Sequence, residues 1–174
     1  FILFKMRKSY LSDSDSDESD NESNIKSKYK IIVLGDSKCG KTSFITRLTK
    51  GYFTLFYTPT KAIEIYRDCQ IGNIKVELWD IPPRVKYHFK LNSLRADGVI
   101  LMFKANNMNS KDNVMKIWQK MYKQMPSLPY VFLVAVTHAR CNDRIPGVHY
   151  IDNMSTVGYN ELLFHIQKTL KLRG

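Results

Sequence analysis

Apolar residues fall along this chain in three patterns, and each implies an element. Short continuous runs occur at residues 31–34, 99–103 and 131–136, as in central parallel strands covered on both faces. Apolar positions recur at helical spacing at Phe44, Ile45 and Leu48, and again at Val114, Ile117, Trp118, Met121, Tyr122 and Met125. A third such set is Leu162, Leu163, Ile166 and Leu170. These predict helices over residues 41 to about 51, over 110–125 and near the C-terminal end, with Asn160 a candidate cap for the last. Residues 63–70 and 74–80 read as two strands joined through the turn signal Gly72-Asn73. Residues 149–151 form a last short strand. Strands alternating with helices predict an α/β fold: a doubly wound, mainly parallel sheet of about six strands flanked by helices.

The first strand runs into Gly35-Asp36-Ser37-Lys38-Cys39-Gly40-Lys41-Thr42-Ser43, a G-x-x-x-x-G-K-T loop that opens a helix. Gly35 and Gly40 let the backbone wrap around an anion so that successive N–H groups point inward. The positive end of the helix adds to that field. Lys41 is placed to reach the β- and γ-phosphates, and the Thr42 hydroxyl to ligate Mg²⁺. The plain alternative is a Gly-Lys turn in a structural loop, which the flanking strand and helix disfavour. Cys39, close to a helix N-terminus, is a candidate for a lowered pKa and for oxidation, although ordinary loop variation explains it as well.

Composition narrows the class. The chain has 174 residues with 44% hydrophobic content, enough for one domain with a full core. No apolar run approaches the length of a membrane span. Phe1-Ile2-Leu3-Phe4 is too short for a signal peptide, and Met6 is a candidate natural start. The three cysteines, Cys39, Cys69 and Cys141, form no metal spacing and cannot all pair, which fits a reducing, cytoplasmic setting. Residues 12–24, SDSDSDESDNESN, are acidic and without apolar side chains. Residues 1–27 therefore read as a disordered acidic tail and 28–174 as the folded domain. The Ser-Asp/Glu repeats also suit acidophilic phosphorylation. Residues 1–24 hold three basic and six acidic side chains, while the other 150 hold 24 and 10, a net +14. Such a body attracts anions, nucleotides or acidic lipid among them. The basic residues are not interleaved with aromatics as a nucleic-acid platform requires, so nucleic acid is an unlikely partner.

Two further residues complete a constellation. Thr60 lies in Thr58-Pro59-Thr60, and Asp80 ends the apolar strand Val76-Glu77-Leu78-Trp79-Asp80, where a phosphate-loop protein keeps its second Mg²⁺-linked carboxylate. Phosphate loop, loop threonine and strand-end aspartate together resemble the Ras/Rab small GTPases, over residues 28 to about 172. Trp79-Asp80, Ala96-Asp97-Gly98-Val99-Ile100 and Gly158-Tyr159-Asn160 look more like the Rab branch. The resemblance implies a P-loop NTPase G-domain that binds GTP or GDP with Mg²⁺ held by Thr42, Thr60 and Asp80. It places Phe53 where the family stacks an aromatic ring on guanine and Tyr57 where one covers the phosphates. Thr137, His138 and Ser155 fall on the base side. Effector or regulatory proteins would meet the switch and interswitch regions.

The departures are specific. Asp80-Ile81-Pro82-Pro83-Arg84 stands where the family has D-x-x-G followed by Gln. Pro83 has no N–H with which to sense a γ-phosphate. Arg84, at the usual Gln position, has donors only and cannot accept a proton from the attacking water. No catalytic residue is therefore assigned with it. The guanine-reading N-K-x-D aligns with Thr137-His138-Ala139-Arg140, which removes the acceptor for the base. Asn142 and Asp143 could replace it only in a reshaped loop. The family's S-A-K aligns with Met154-Ser155-Thr156. About a dozen residues separate these motifs, too few for the helix the family has between its last two strands. The chain ends without the prenylated cysteines usual in the family, so no stable membrane anchor is visible and only electrostatic association with acidic membranes remains. The expected function is a GTP-binding, slow or locked switch. The alternatives are a nucleotide-independent pseudo-GTPase scaffold and a phosphate-loop protein of relaxed base specificity that takes ATP.

Overall fold

A computed structural model describes residues 28–83, 95–123, 129–138 and 144–172. Readings made for the acidic tail, Met6, Arg84, Met125, Arg140, Cys141, Asn142 and Asp143 lie outside the described residues, as do those for the side chains of Met121 and Tyr122. Six strands and three helices follow one another: β1 (Tyr29–Gly35), α1 (Lys41–Lys50), β2 (Glu64–Ile71), β3 (Ile74–Asp80), β4 (Gly98–Lys104), α2 (Met108–Tyr122), β5 (Tyr130–Val136), β6 (Val148–Ile151) and α3 (Tyr159–Lys171). They form one sheet in the order β2-β3-β1-β4-β5-β6. The β2–β3 hairpin is antiparallel and every other pairing is parallel.

The continuous apolar runs arise because both faces of the sheet are covered. Ile31 and Val33 of β1 point to one side, with Phe44, Ile45 and Leu48 of α1 and Leu162, Ile166 and Leu170 of α3. Ile32 and Leu34 point to the other, with Val114 and Ile117 of α2. A period of two with a layer on each face leaves no strand position that wants to be polar. Val33 pairs with both Asp80 and Ile100, so β1, β3 and β4 end on the same edge. In an open α/β sheet that edge is where a ligand crevice forms.

Three details differ from expectation. β2 carries an irregularity between Tyr66 and Cys69, with Asp68 at φ 59°. Aspartate tolerates that conformation, but no glycine or proline announces the bulge, which sits on an edge strand where an unpaired residue is tolerated. Asn160 does not cap α3. The chain enters that helix through Gly158 at φ 81°, without a side-chain cap, and Asn160 lies exposed one residue inside it. A Cβ on Gly158 would fall 2.0 Å from the Tyr150 carbonyl oxygen, so close approach of the backbone decides the entry. α2 starts at Met108, ahead of Ser110, whose N–H is held by the Asn107 side chain at 3.2 Å. Among the described residues no helix stands between β5 and β6.

Candidate functional site

Two strand ends and one helix start build the site. Beyond β1 the backbone turns through Lys38 at φ 58° and Gly40 at φ 92°. A Cβ on Gly35 would lie 2.3 Å from the Met102 carbonyl oxygen of β4, so glycine there lets the loop hug the sheet. Lys41, 6% exposed, folds back across the loop. Its Nζ donates to the Gly35 carbonyl at 3.2 Å and the Asp36 carbonyl at 2.9 Å. Asp36 is in turn held by the Ser37 N–H at 2.8 Å and by Asn113 of α2 at 2.9 Å. Lys41, Thr42 and Ser43 form the first helical turn, whose N–H groups have no acceptor within the helix. A braced loop with free donors and a buried ammonium is an anion cradle.

Beside it, three oxygens from distant parts of the chain converge. Thr42 Oγ1 donates to Asp80 Oδ2 at 2.5 Å. Thr60 Oγ1 lies 2.9 Å from Thr42 Oγ1 and 3.4 Å from Asp80 Oδ2. Asp80 is fully buried, and its Oδ1 has no hydrogen-bond partner among the described residues. Burial pushes its carboxyl above the usual range, against the pull of the Thr42 hydrogen bond and the Lys41 charge. An orphaned buried carboxylate oxygen is costly unless a cation takes it. Two hydroxyls and one carboxylate suit Mg²⁺, which keeps water and phosphate oxygens in its remaining positions. The donor set fits that ion.

Tyr57 is exposed, with Nζ of the loop residue Lys38 5.6 Å from its ring centre. Phe53 is half-buried, while Leu55 and Phe56 are exposed, Phe56 to 88%. Cys39 corrects the expectation of a lowered pKa. It is 1% exposed, and desolvation raises the thiol more than nearby Lys41 lowers it.

A model of the Ras family matches residues 30–144. The chain belongs to the Ras family. It is 31% identical to the GTP-binding protein rho3 of Schizosaccharomyces pombe over 149 residues, 83% of this chain and 71% of that protein. It is 28% identical to the GTP-binding protein rho2 of the same yeast over 109 residues, 60% of this chain and 54% of that one. With the Ras-related protein RabY of Dictyostelium discoideum it shares 32% over 101 residues, 53% of this chain and 42% of that protein. The chain spans about half the length of most of the curated relatives it matches. The Ras-family resemblance holds; the expected Rab-like character is not shown, since both Rho-type and Rab-related proteins are among the relatives.

The loop after β6, which carries Ser155, is organised by a residue that sequence reasoning passed over. Asp152 accepts from Ser155 Oγ at 2.6 Å and from the Met154 N–H at 2.9 Å, and lies 3.4 Å from His138 Nδ1. Burial opposes its charge, yet the bonds from Ser155 and Met154, with His138, hold the carboxyl below its usual range. His138 and Ser155 are thus brought together, and His138 is engaged within the chain. The Thr137 N–H bonds the Ile151 carbonyl at 2.9 Å, fixing the end of β5 to that loop. The phosphate loop, Thr42, Thr60 and Asp80 lie together at this edge of the sheet, and Thr137, His138 and Ser155 at the ends of β5 and β6.

Proposed function

We propose that the chain binds Mg²⁺ and a guanine nucleotide through its phosphate side and acts as a slow or locked switch. The observation that carries this reading is the convergence of Thr42, Thr60 and Asp80, with a buried oxygen left for a cation, beside the braced Lys41. In that reading Gly35 to Ser43 hold the phosphates, Tyr57 covers them, and Phe53 stacks on the base. Mg²⁺ would bridge phosphate oxygens and neutralise their charge. Thr137, His138 and Ser155 line the base side. Arg140 stands in place of the base acceptor, so discrimination of guanine from adenine is weak. Pro83 and Arg84 make hydrolysis slow. The exposed Leu55 and Phe56 offer effector or regulatory proteins an apolar surface, and the edge strand β2 of the hairpin a polar one.

A scaffold that ignores nucleotide is the second reading, favoured by the changes at Pro83, Arg84 and Arg140. Melting of the full chain, stripped of nucleotide, separates the two, because a ligand that binds only the folded state must raise the midpoint by mass action. A hundredfold excess of GTP over its Kd with Mg²⁺ is expected to add about 2.7 kcal/mol of stability, several degrees for a domain of this size. A midpoint unmoved by GTP, GDP and ATP at millimolar concentration favours the scaffold. Equal shifts with GTP and ATP mark relaxed base specificity.

A further inference from the structure

We infer that Asn153 is a positioning residue for the phosphate loop, tying it to the base-side loop between β6 and α3; the inference rests on the nucleotide reading above. Asn153 is 1% exposed. Its Nδ2 donates to the Gly40 carbonyl at 3.2 Å, and its Oδ1 accepts from the Tyr159 hydroxyl at 2.6 Å. Only one orientation of the amide satisfies both, since a carbonyl accepts and cannot donate. Tyr159 is itself anchored, with its ring 5.4 Å from that of Phe44 in α1. Arg47 of α1 reaches the same loop, donating to the Met154 carbonyl at 2.6 Å. Two hydrogen bonds and a ring contact thus join one short loop to the loop and helix of the anion cradle.

The consequence lies in a peptide plane. In a trans peptide the Gly40 carbonyl and the Lys41 N–H point in opposite directions. Holding the carbonyl toward Asn153 therefore aims the Lys41 N–H away from it, to the side on which the cradle opens. The Gly40 carbonyl also accepts from the Phe44 N–H at 2.9 Å, so the helix start and Asn153 fix it together. A Cβ on Gly40 would sit 2.6 Å from Asn153 Nδ2, so the amide occupies the space a larger residue would need. Because Asp152 and Met154 flank Asn153, order imposed on the base side passes directly to the phosphate donors.

Asn153→Ala and Tyr159→Phe are compared in the full chain. Asn153→Ala removes the bond to Gly40, whereas Tyr159→Phe keeps it and removes only its support. Asn153→Ala is expected to speed dissociation of a fluorescent GDP analogue with Mg²⁺ about tenfold, and Tyr159→Phe by less than about threefold. Both are expected to lower the melting point of the nucleotide-free chain, and a merely structural role would let the dissociation rates follow that order. Equal dissociation rates for the wild type and Asn153→Ala would overturn the inference. Hydrogen exchange at residues 40–44 of the nucleotide-free chain needs no nucleotide. It is expected to rise about tenfold in Asn153→Ala while β1 and β4 stay protected, and unchanged exchange would equally overturn the inference. A wild type that binds no nucleotide would defeat the nucleotide reading, and the exchange comparison would still decide for or against Asn153. Should Asn153→Ala not fold, Asn153→Ser is compared in its place.

Discussion

Replacing Lys41 by alanine is expected to abolish measurable nucleotide binding while the chain stays folded. Lys41 Nζ gives two donors to the Gly35 and Asp36 carbonyls, and its third meets only Cys39 Sγ at 3.9 Å, a weak acceptor that a phosphate oxygen would outcompete. The ammonium is buried, so its attraction for an anion is little screened. Hydrogen bonds to charged groups contribute about 1.5–3 kcal/mol each. Loss of the phosphate contact and of the loop brace together is expected to weaken binding by about 4 kcal/mol, roughly a thousandfold. The domain core does not depend on this side chain, because α1 packs through Phe44, Ile45 and Leu48. Titration of the variant with GDP and Mg²⁺, beside a circular dichroism spectrum, checks both halves. Affinity within tenfold of the wild type would show that the loop does not bind through Lys41.

The second large effect is expected from Pro83→Gly combined with Arg84→Gln. Ile81 is buried and its N–H bonds the Val33 carbonyl at 3.3 Å, so Asp80 stays placed when the chain beyond it is changed. Glycine restores an N–H at position 83, and glutamine supplies both a donor and an acceptor for an attacking water. Positioning of that kind contributes about 10²–10⁴-fold in general acid–base catalysis, and a partial gain of about 10- to 100-fold in single-turnover GTP hydrolysis is expected. Loss of one of the two prolines also frees the backbone to approach the γ-phosphate. An unchanged rate would move the defect to the base side or to the placement of Thr60.

The fold was legible where burial acts on whole segments. Two covered faces force continuous apolar strands, and one covered face forces the helical spacing of Phe44, Ile45 and Leu48. The cradle was legible because Gly35, Gly40, Lys41 and Thr42 carry a backbone requirement and a charge in a short stretch. Asp80 and Thr60 could be placed only with the help of family resemblance, since nothing local links them to Thr42. What stayed hidden depends on contacts made across long separations. Asn153 meets Gly40 113 residues away, and no local pattern distinguishes a buried amide from an exposed one. Asn160 looked like a cap because its side chain suits one, but the approach of Gly158 to Tyr150 decides where α3 begins. Cys39 looked reactive from its place near a helix N-terminus, and burial reverses that. Asp68 at φ 59° is a residue that tolerates the left-handed region, but nothing local marks where along β2 the register shifts.

The measurement that bears most directly on the central claim is the nucleotide carried by gently purified protein, released by denaturation and identified by chromatography. One equivalent of GTP is expected, because the phosphate side holds the ligand while Pro83 and Arg84 leave it unhydrolysed. Bound GDP would contradict the locked switch, since turnover would then proceed without the glutamine. A chain that emerges empty and takes up no added nucleotide with Mg²⁺ would contradict nucleotide binding altogether.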